Sequence, residues 1–186
     1  MFRKKIYAGL LAAALTVTSL FANTVTARAE ESWPGGIDTQ SAAAIVMEQE
    51  TGAILYEKNI HATYYPASIT KILTALVALE NSSLDEVVTF SKDAVYLNEG
   101  DSSHISRDVG EQMTMEQCLY GMLLESANEC AYAIAEHVGG GDVNVFVDMM
   151  NQKAAELGCQ DSHFNNTNGL PDENHYVSAY DMALIS

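Results

Sequence analysis

Three segments of the chain repeat apolar residues three and four positions apart, a spacing typical of α-helices with one apolar face. The repeats consist of Ile69, Ile72, Leu73, Leu76 and Leu79, then Met115, Leu119, Met122 and Leu123, and then Val143, Phe146, Val147, Met150, Ala154 and Leu157. A helix of this kind is stable in a protein when its apolar face packs against other elements. We therefore expect a core with several helices, in which the first repeat is a buried face.

Residues that begin and end helices flank these segments. Thr114 and Gln117 have the spacing of a capping box, in which each side chain satisfies a backbone amide of the other residue. Asp142 can cap the third segment, which Gly158 follows in the position where glycine commonly ends a helix. The remaining signals predict a helix from about 129 to 138, ended by the glycines 139–141, and a helix start at Ser178 and Asp181.

The region before the first helix has the pattern of a β-hairpin. Apolar residues 44–47 and 53–56 are separated by the polar turn sequence Gln-Glu-Thr-Gly at 49–52. We predict an α/β fold with a mixed sheet that begins with this hairpin and is flanked by helices, plus a mostly helical region from about 93 to 155. Residues 84–107 combine short alternations with polar loops, and the pattern assigns no element there.

The first 29 residues have the three parts of a secretory signal peptide. Arg3, Lys4 and Lys5 precede an apolar run over residues 6–21, and Ala-Arg-Ala at 27–29 offers small residues for cleavage. A membrane-spanning helix needs about 20 apolar residues, and this run is shorter and becomes polar towards its end. We expect export from the cytoplasm and one domain over residues 30–186, which is long enough for a single core.

The acidic composition excludes some classes of partner. Removal of residues 1–29 would leave five of the nine basic residues against all 25 acidic residues. Nucleic acids and anionic membrane surfaces attract basic proteins, so neither is an expected partner. The three cysteines, Cys118, Cys130 and Cys159, lack the spacing of a zinc site or of a disulfide framework. Cys118 and Cys130 fall in helical patterns and are expected to be small buried residues.

Ser68 and Lys71 are three residues apart at the start of the first predicted helix, so their side chains share one face. A serine hydroxyl becomes a nucleophile when an adjacent base takes its proton. A lysine can be that base once burial lowers its pKa. The alternative is structural, with Ser68 as a helix cap and Lys71 as a solvated surface residue.

A second polar group lies in the sequence Ser126-Ala127-Asn128, between two predicted helices. A short connection can direct both polar side chains into a cleft, where a hydroxyl can relay a proton and a carboxamide can bind a peptide amide. A polar loop that only connects two helices is the other interpretation.

Together, S-x-x-K and S-x-N resemble the signature of the serine penicillin-binding proteins and their β-lactamase relatives. The chain also resembles the low-molecular-mass D-alanyl-D-alanine carboxypeptidases, in the same order, at Tyr-Glu-Lys-Asn (56–59), Pro-Ala-Ser-Ile-Thr-Lys (66–71), Ala-Glu-His (135–137) and Asn-Gly-Leu-Pro (168–171). Residues 176–184 are similar too, so the resemblance extends over the chain after the signal segment. It implies the penicillin-binding-protein-like α/β fold, a mainly antiparallel sheet flanked by helices with a helical subdomain.

The resemblance implies a two-step acyl transfer without a metal or other cofactor. Ser68 would attack the carbonyl between the two terminal D-alanines of a peptidoglycan stem peptide, with Lys71 as the base and Ser126 as the proton relay. Asn128 would bind the substrate amide, and the backbone N–H of Ser68 would form half of the oxyanion hole. β-Lactams would acylate the same serine as covalent inhibitors, in the cell envelope or periplasm.

Two features differ from the family pattern. Ala127 occupies a position where glycine or aspartate is common, which is a mild change between small residues. The third motif, K-T-G, is absent from these 186 residues, and Lys153, the last lysine, is followed by two alanines. We therefore expect the chain to be the N-terminal part of a longer catalytic domain that lacks the C-terminal strands and is incomplete for turnover.

Other functions are less well matched by the sequence. The five histidines include no H-E-x-x-H pair, so metal or histidine-based catalysis is not indicated. A β-lactamase would share Ser68 and Lys71 but would need a deacylating carboxylate, and neither Glu125 nor Glu173 lies in a recognisable pattern for that base. A catalytically inactive module that binds penicillin or peptidoglycan is the alternative outside enzymes, motivated by the missing third motif.

Overall fold

The computed structural model describes residues 39–97 and 102–186. The predicted signal peptide lies outside the described residues, as do residues 98–101 of a polar loop. Within the described ranges, no helix is both long enough and apolar enough to cross a membrane.

The described chain alternates short strands with helices. In chain order the elements are β1 (Ala44–Met47), β2 (Ile54–Lys58), β3 (Thr63–Tyr64), a 3-10 turn (Ala67–Ile69), α1 (Thr70–Asn81), β4 (Val87–Thr89), α2 (Lys92–Tyr96), β5 (Gln112–Thr114), α3 (Met115–Leu124), α4 (Asn128–Val138), α5 (Val143–Glu156), β6 (Val177–Ser178) and α6 (Ala179–Ile185). Residues 84–107, to which the sequence pattern assigned no element, thus contain β4 and α2.

The described strands form three antiparallel pairs. The predicted hairpin is confirmed as β1 and β2, with a register shift between Val46 and Met47. β3 pairs with β6, and β4 pairs with β5, so strands far apart in sequence meet. The first of these long-range pairs attaches the segment before Ser68 to the C-terminal part of the chain. Every ladder in residues 39–97 and 102–186 is antiparallel, in agreement with the mainly antiparallel sheet that the family resemblance implies.

Helix α4 lies at the centre of the molecule. It packs against α1, α2, α3, α5 and β4. Its inward positions are mostly small, with Ala131, Ala133 and Ala135 fully buried beside Ile134. Small side chains let neighbouring helices approach closely, because the distance between helix axes depends on the residues at the contact. Helix α4 is thereby packed closely against α1 and α3.

The predicted helix boundaries agree closely with the structure because they depend on local hydrogen bonds. Thr114 and Gln117 form the complete capping box of α3. The side chain of Asp142 accepts a hydrogen bond from the amide of Asn144 at the start of α5, and Ser178 accepts one from Asp181 at the start of α6.

The predicted buried face of α1 is largely wrong. Ile69, Ile72 and Leu79 are exposed, and of the predicted stripe only Leu73 is fully buried. The helix instead buries a face that includes Thr70, Lys71, Thr74, Val77 and Ala78. Three of these residues are polar, and they find hydrogen-bond partners in the C-terminal part of the chain. The apolar repeat was misleading because these distant partners leave no local signal in the sequence.

Substitution of two leucines in α1 tests which face is buried. We expect Leu73→Ala to lower the free energy of unfolding by about 2–5 kcal/mol, the usual cost of truncating a buried leucine. Leu79→Ala, at a position that is 53% exposed, should change it by less than about 0.5 kcal/mol. Urea denaturation of both variants checks this, and equal losses would contradict the observed orientation of α1.

Candidate active site

Ser68 lies in a strained turn just before α1. Pro66 comes first, and Ala67 adopts a left-handed backbone conformation with φ of 52°. Such a conformation costs a non-glycine residue about 1 kcal/mol. Strain of this kind often lies at functional sites, where the surrounding structure holds it in place. The turn leaves Ser68 exposed at the N-terminal end of the helix.

Ser126 reaches Ser68 from the connection between α3 and α4. It also has a left-handed backbone, with φ of 57°, and its hydroxyl donates a hydrogen bond of 2.8 Å to the hydroxyl oxygen of Ser68. Two backbone bonds fix this connection, from the amide of Ala127 to Gly121 O and from the amide of Asn128 to Ser103 O. The two serine hydroxyls, 58 residues apart in sequence, therefore meet at one point.

The amine of Lys71 is the second group that contacts the hydroxyl of Ser68. Its Nζ is 3.2 Å from the Oγ of Ser68 and donates a hydrogen bond of 2.7 Å to the backbone carbonyl of Asn168. Lys71 is only 2% exposed, and burial lowers its pKa to about 8. With this pKa the amine is mostly protonated at pH 7 but about one-tenth of it is neutral, far more than for an exposed lysine, and a neutral amine can accept a proton.

Asn128 is the first residue of α4 and is 5% exposed. Hydrogen bonds join Ser68, Lys71 and Ser126 directly, whereas Asn128 is linked to them through the backbone of the connection that carries Ser126. Three of the four predicted site residues thus converge on the hydroxyl of Ser68. The fourth borders them, two positions along the chain from Ser126.

The structure adds to the site a segment that the sequence analysis used only as part of the family resemblance, at Asn-Gly-Leu-Pro (168–171). The asparagine loop, residues 165–170, supplies the carbonyl that holds Lys71. The side chain of Asn166 organises the loop by accepting from the amides of Asn168 and Gly169 and by donating to the carbonyl of Leu170. Asparagine and glycine are turn formers, which was the available signal, but a backbone carbonyl has no signature in a sequence.

Gly169 brings the asparagine loop against the turn that carries Ser68. A Cβ atom at this position would lie 1.8 Å from the carbonyl oxygen of Ala67, and the backbone φ is 89°. A side chain at this position would clash with Ala67, and residues other than glycine rarely adopt this backbone conformation. This contact, together with the bond from Lys71 to Asn168, attaches the loop to both sides of Ser68.

The side chains considered for other mechanisms lie elsewhere. Glu125, at the C-terminal end of α3, and Glu173 are both exposed. His137 pairs with Glu86 at the surface, with 2.7 Å between Nε2 and Oε2. In the part of the chain that the structure describes, no group of three or more His, Cys, Asp or Glu residues is arranged to hold a metal ion. Cys118 and Cys130 are free, buried thiols in the core, as predicted.

A serine hydroxyl beside a buried lysine amine is a constellation of the serine hydrolase kind in which lysine replaces histidine. The chain belongs to the D-alanyl-D-alanine carboxypeptidase family, Peptidase S11, which it matches over residues 25–186. The family predicted from S-x-x-K and S-x-N is therefore confirmed.

Individual relatives cover most of this chain. It is 35% identical to D-alanyl-D-alanine carboxypeptidase DacF of Bacillus subtilis in an alignment 187 positions long that covers 98% of this chain and 47% of that protein. It is 35% identical to D-alanyl-D-alanine carboxypeptidase DacA of Haemophilus influenzae in an alignment 146 positions long that covers 76% of this chain and 37% of that protein. The chain thus spans less than half the length of these two relatives.

Solved structures confirm the predicted fold class. The D-alanyl-D-alanine carboxypeptidase DacD of Francisella tularensis superposes with a TM-score of 0.75 at 35% identity, covering 82% of this chain and 37% of that one. The DD-transpeptidase of Streptomyces K15 gives a TM-score of 0.73 at 32% identity, covering 81% of this chain and 61% of that one.

Two glycine variants test the close approach of the asparagine loop. Gly169 and Gly158 both have positive φ, but a Cβ at Gly158 would meet no atom within 4 Å. We expect Gly158→Ala to cost about 1 kcal/mol for backbone strain alone. Gly169→Ala should cost about 1–3 kcal/mol more, because the added methyl group overpacks the turn. The measurement is the urea midpoint of each variant, and similar midpoints would count against a tight contact at Ala67.

Proposed function

We propose that this chain carries the nucleophile-bearing part of a serine D-alanyl-D-alanine carboxypeptidase, which removes the terminal D-alanine from peptidoglycan stem peptides. The observation that carries the proposal is the convergence of Lys71 Nζ and Ser126 Oγ on the hydroxyl of Ser68. Family membership supports the substrate class, since relatives that match the chain are named D-alanyl-D-alanine carboxypeptidases.

In the first step, the Oγ of Ser68 attacks the carbonyl carbon of the peptide bond between the two D-alanines. Its proton passes to the neutral amine of Lys71, which the low pKa and the short distance to Ser68 favour. The C–N bond then breaks, and the leaving amine of D-alanine receives a proton through the hydroxyl of Ser126. An acyl-serine ester remains on Ser68.

In the second step, water attacks this ester and releases the shortened peptide. Lys71 and Ser126 return the proton to Ser68, so the starting state is regenerated. The backbone N–H of Ser68, at the start of the helical turn, is proposed to contribute to the oxyanion hole. Asn128 is proposed to bind the amide of the substrate, a role that its carboxamide can fill by donating and accepting at once.

We also propose that β-lactams inhibit the protein and that it lies outside the cytoplasm. β-Lactams would acylate Ser68 because their reactive amide carbonyl takes the place of the peptide carbonyl. Residues 1–29 are proposed to direct export, which would place residues 30–186 outside the cytoplasm, where peptidoglycan lies. Neither a metal nor another cofactor has a part in this scheme, because the lysine amine supplies the base.

Labelling with a fluorescent penicillin tests the nucleophile. We expect the full-length gene product to be labelled on the peptide that contains Ser68, and Ser68→Ala to abolish the label. Ser83→Ala changes an exposed serine beyond the end of α1 and should be labelled like the wild type. Label on another residue, or none on the folded wild-type protein, would contradict the proposal and favour an inactive binding module.

The same preparation separates a carboxypeptidase from a β-lactamase. We expect D-alanine to be released from a peptide that ends in D-alanyl-D-alanine, while the penicilloyl adduct on Ser68 persists. Among the described residues, the hydrogen bonds of the Ser68, Lys71 and Ser126 side chains do not involve the carboxylates of Glu125 and Glu173, so neither carboxylate is held in place to activate water for rapid deacylation. Hydrolysis of penicillin faster than release of D-alanine would decide for the β-lactamase.

The pH dependence of acylation tests the role of Lys71. Because its pKa is lowered to about 8, the amine is mostly protonated below that pH and mostly neutral above it. We expect the second-order rate of penicillin labelling to rise with pH, with a midpoint near 8. Lys71→Arg should lower the rate by about 10²–10⁴-fold, since a guanidinium keeps its proton. A rate that is flat between pH 6 and 9 would exclude Lys71 as the base.

A further inference from the structure

His175 is a buried histidine that the proposed reaction does not use. It is 1% exposed, and its ring and that of Phe164 are nearly perpendicular, with 5.6 Å between ring centroids. Its Nε2 lies 2.8 Å from the hydroxyl oxygen of Thr70, which immediately precedes Lys71. His175 thus contacts the residue next to the proposed base, although it takes no part in the proposed reaction.

The hydrogen bonds of His175 define its tautomer. Nδ1 accepts from the backbone amides of Asn165, at 2.9 Å, and Asn166, at 3.3 Å. Because Nδ1 faces two donors it carries no proton, so in the neutral ring Nε2 carries the proton and donates it to Thr70. Both nitrogens therefore have partners, and each partner belongs to a different part of the site.

The charge state of His175 agrees with this pattern. Burial lowers its pKa to about 4, and of the nearby ionisable groups Asp172 acts to raise the pKa while His163 acts to lower it. The ring is therefore neutral at the pH where Lys71 begins to lose its proton. A protonated ring would direct an N–H at the two loop amides, so the observed contacts require the neutral form.

The asparagine loop is attached to α1 at three points. The carbonyl of Asn168 accepts from Lys71, and the carbonyl of Thr167 accepts from the hydroxyl of Thr74 at 2.7 Å. His175 makes the third attachment, by joining the first amides of the loop to Thr70. The three attachments lie on one face of the helix, at Thr70, Lys71 and Thr74. Loss of one attachment therefore affects how firmly the other two hold the loop.

We propose that His175 is a positioning residue that bridges Thr70 to the start of the asparagine loop and thereby fixes the carbonyl of Asn168 that holds the Lys71 amine against Ser68. This inference rests on the proposed function, in which Lys71 takes the proton of Ser68. His175 itself does not touch the reacting atoms. It acts through two sets of hydrogen bonds. One joins its ring to Thr70 of α1, and the other joins it to the asparagine loop, whose Asn168 carbonyl holds the Lys71 amine.

Loss of the bridge has a specific chemical consequence for Lys71. The start of the loop would lose its attachment to α1, the two remaining hydrogen bonds would hold the loop less firmly, and water would then reach the Nζ atom. Burial is the cause of the lowered pKa of Lys71, so hydration raises that pKa towards its ordinary value. Misplacement of a reacting group by about 1 Å costs about 100-fold in rate. A purely structural histidine would change stability and leave the pKa of Lys71 unchanged.

Three substitutions separate the two nitrogens of His175. In His175→Asn the side-chain oxygen occupies the place of Nδ1 and can still accept from the loop amides, but the link to Thr70 is lost. In His175→Gln the amide nitrogen can reach Thr70, but the acceptor for the loop is lost. His175→Ala removes both. His61→Gln is the matched control, because His61 is an exposed histidine that pairs with Asp161 near the surface and has no part in the bridge.

The experiment measures the second-order rate of labelling of Ser68 by fluorescent penicillin from pH 6 to 10, on full-length protein at a temperature well below each variant's Tm. For His175→Ala we expect a rate about 100-fold lower at pH 8 and a midpoint moved above the wild-type value. His175→Asn should recover most of the rate and the midpoint, because it keeps the loop anchored, and His175→Gln should resemble His175→Ala. His61→Gln should match the wild type.

Failure of this inference differs from failure of the proposed function. If wild-type protein is labelled on Ser68 and the folded His175 variants keep its rate and midpoint, the positioning role is wrong and the proposed function stands. A lowered Tm without a change in rate or midpoint has the same meaning. If folded wild-type protein is not labelled, both are overturned. Should His175→Ala not fold, the contrast between His175→Asn and His175→Gln decides the question alone.

Discussion

The burial of the Lys71 amine is the constraint on which the rest of the site depends. A lysine removed from water must find a polar partner or lose its proton, and here the carbonyl of Asn168 provides the partner while burial lowers the pKa to about 8. The amine can therefore both remain in the interior and exchange a proton with Ser68. Helix α1 turns a polar face inward for this reason and leaves much of its apolar repeat exposed.

Around this amine, the backbone is forced into conformations that most residues avoid. Ala67 and Ser126 have left-handed φ angles, and Gly169 lies where no Cβ atom fits. These three positions bring the serine turn, the connection between α3 and α4, and the asparagine loop to one point. The central helix α4 and the anchored loop stabilise that arrangement, so strain is concentrated where three separate segments meet.

Local sequence signals predicted most of the helices and the first hairpin. Long-range contacts determined which face of each element is buried and which strands pair. The capping box at Thr114, the cap at Asp142 and the β1–β2 hairpin were predictable because their hydrogen bonds join residues close in sequence. β4 was not, because its partner β5 begins more than twenty residues later. The buried face of α1 was predicted wrongly, since Thr70, Lys71 and Thr74 bond to residues roughly a hundred positions away.

The sequence by itself determined the family, the order of every described helix except α2, and the four residues Ser68, Lys71, Ser126 and Asn128 that resemble its motifs, because spacing within a motif is a local property. Only the tertiary structure decided that the hydroxyls of Ser68 and Ser126 meet and that a backbone carbonyl holds Lys71. It also decided the place of His175. These features depend on which distant segments are in contact. A sequence motif cannot reveal them, because every residue has a backbone carbonyl and because the burial of a side chain depends on the whole fold.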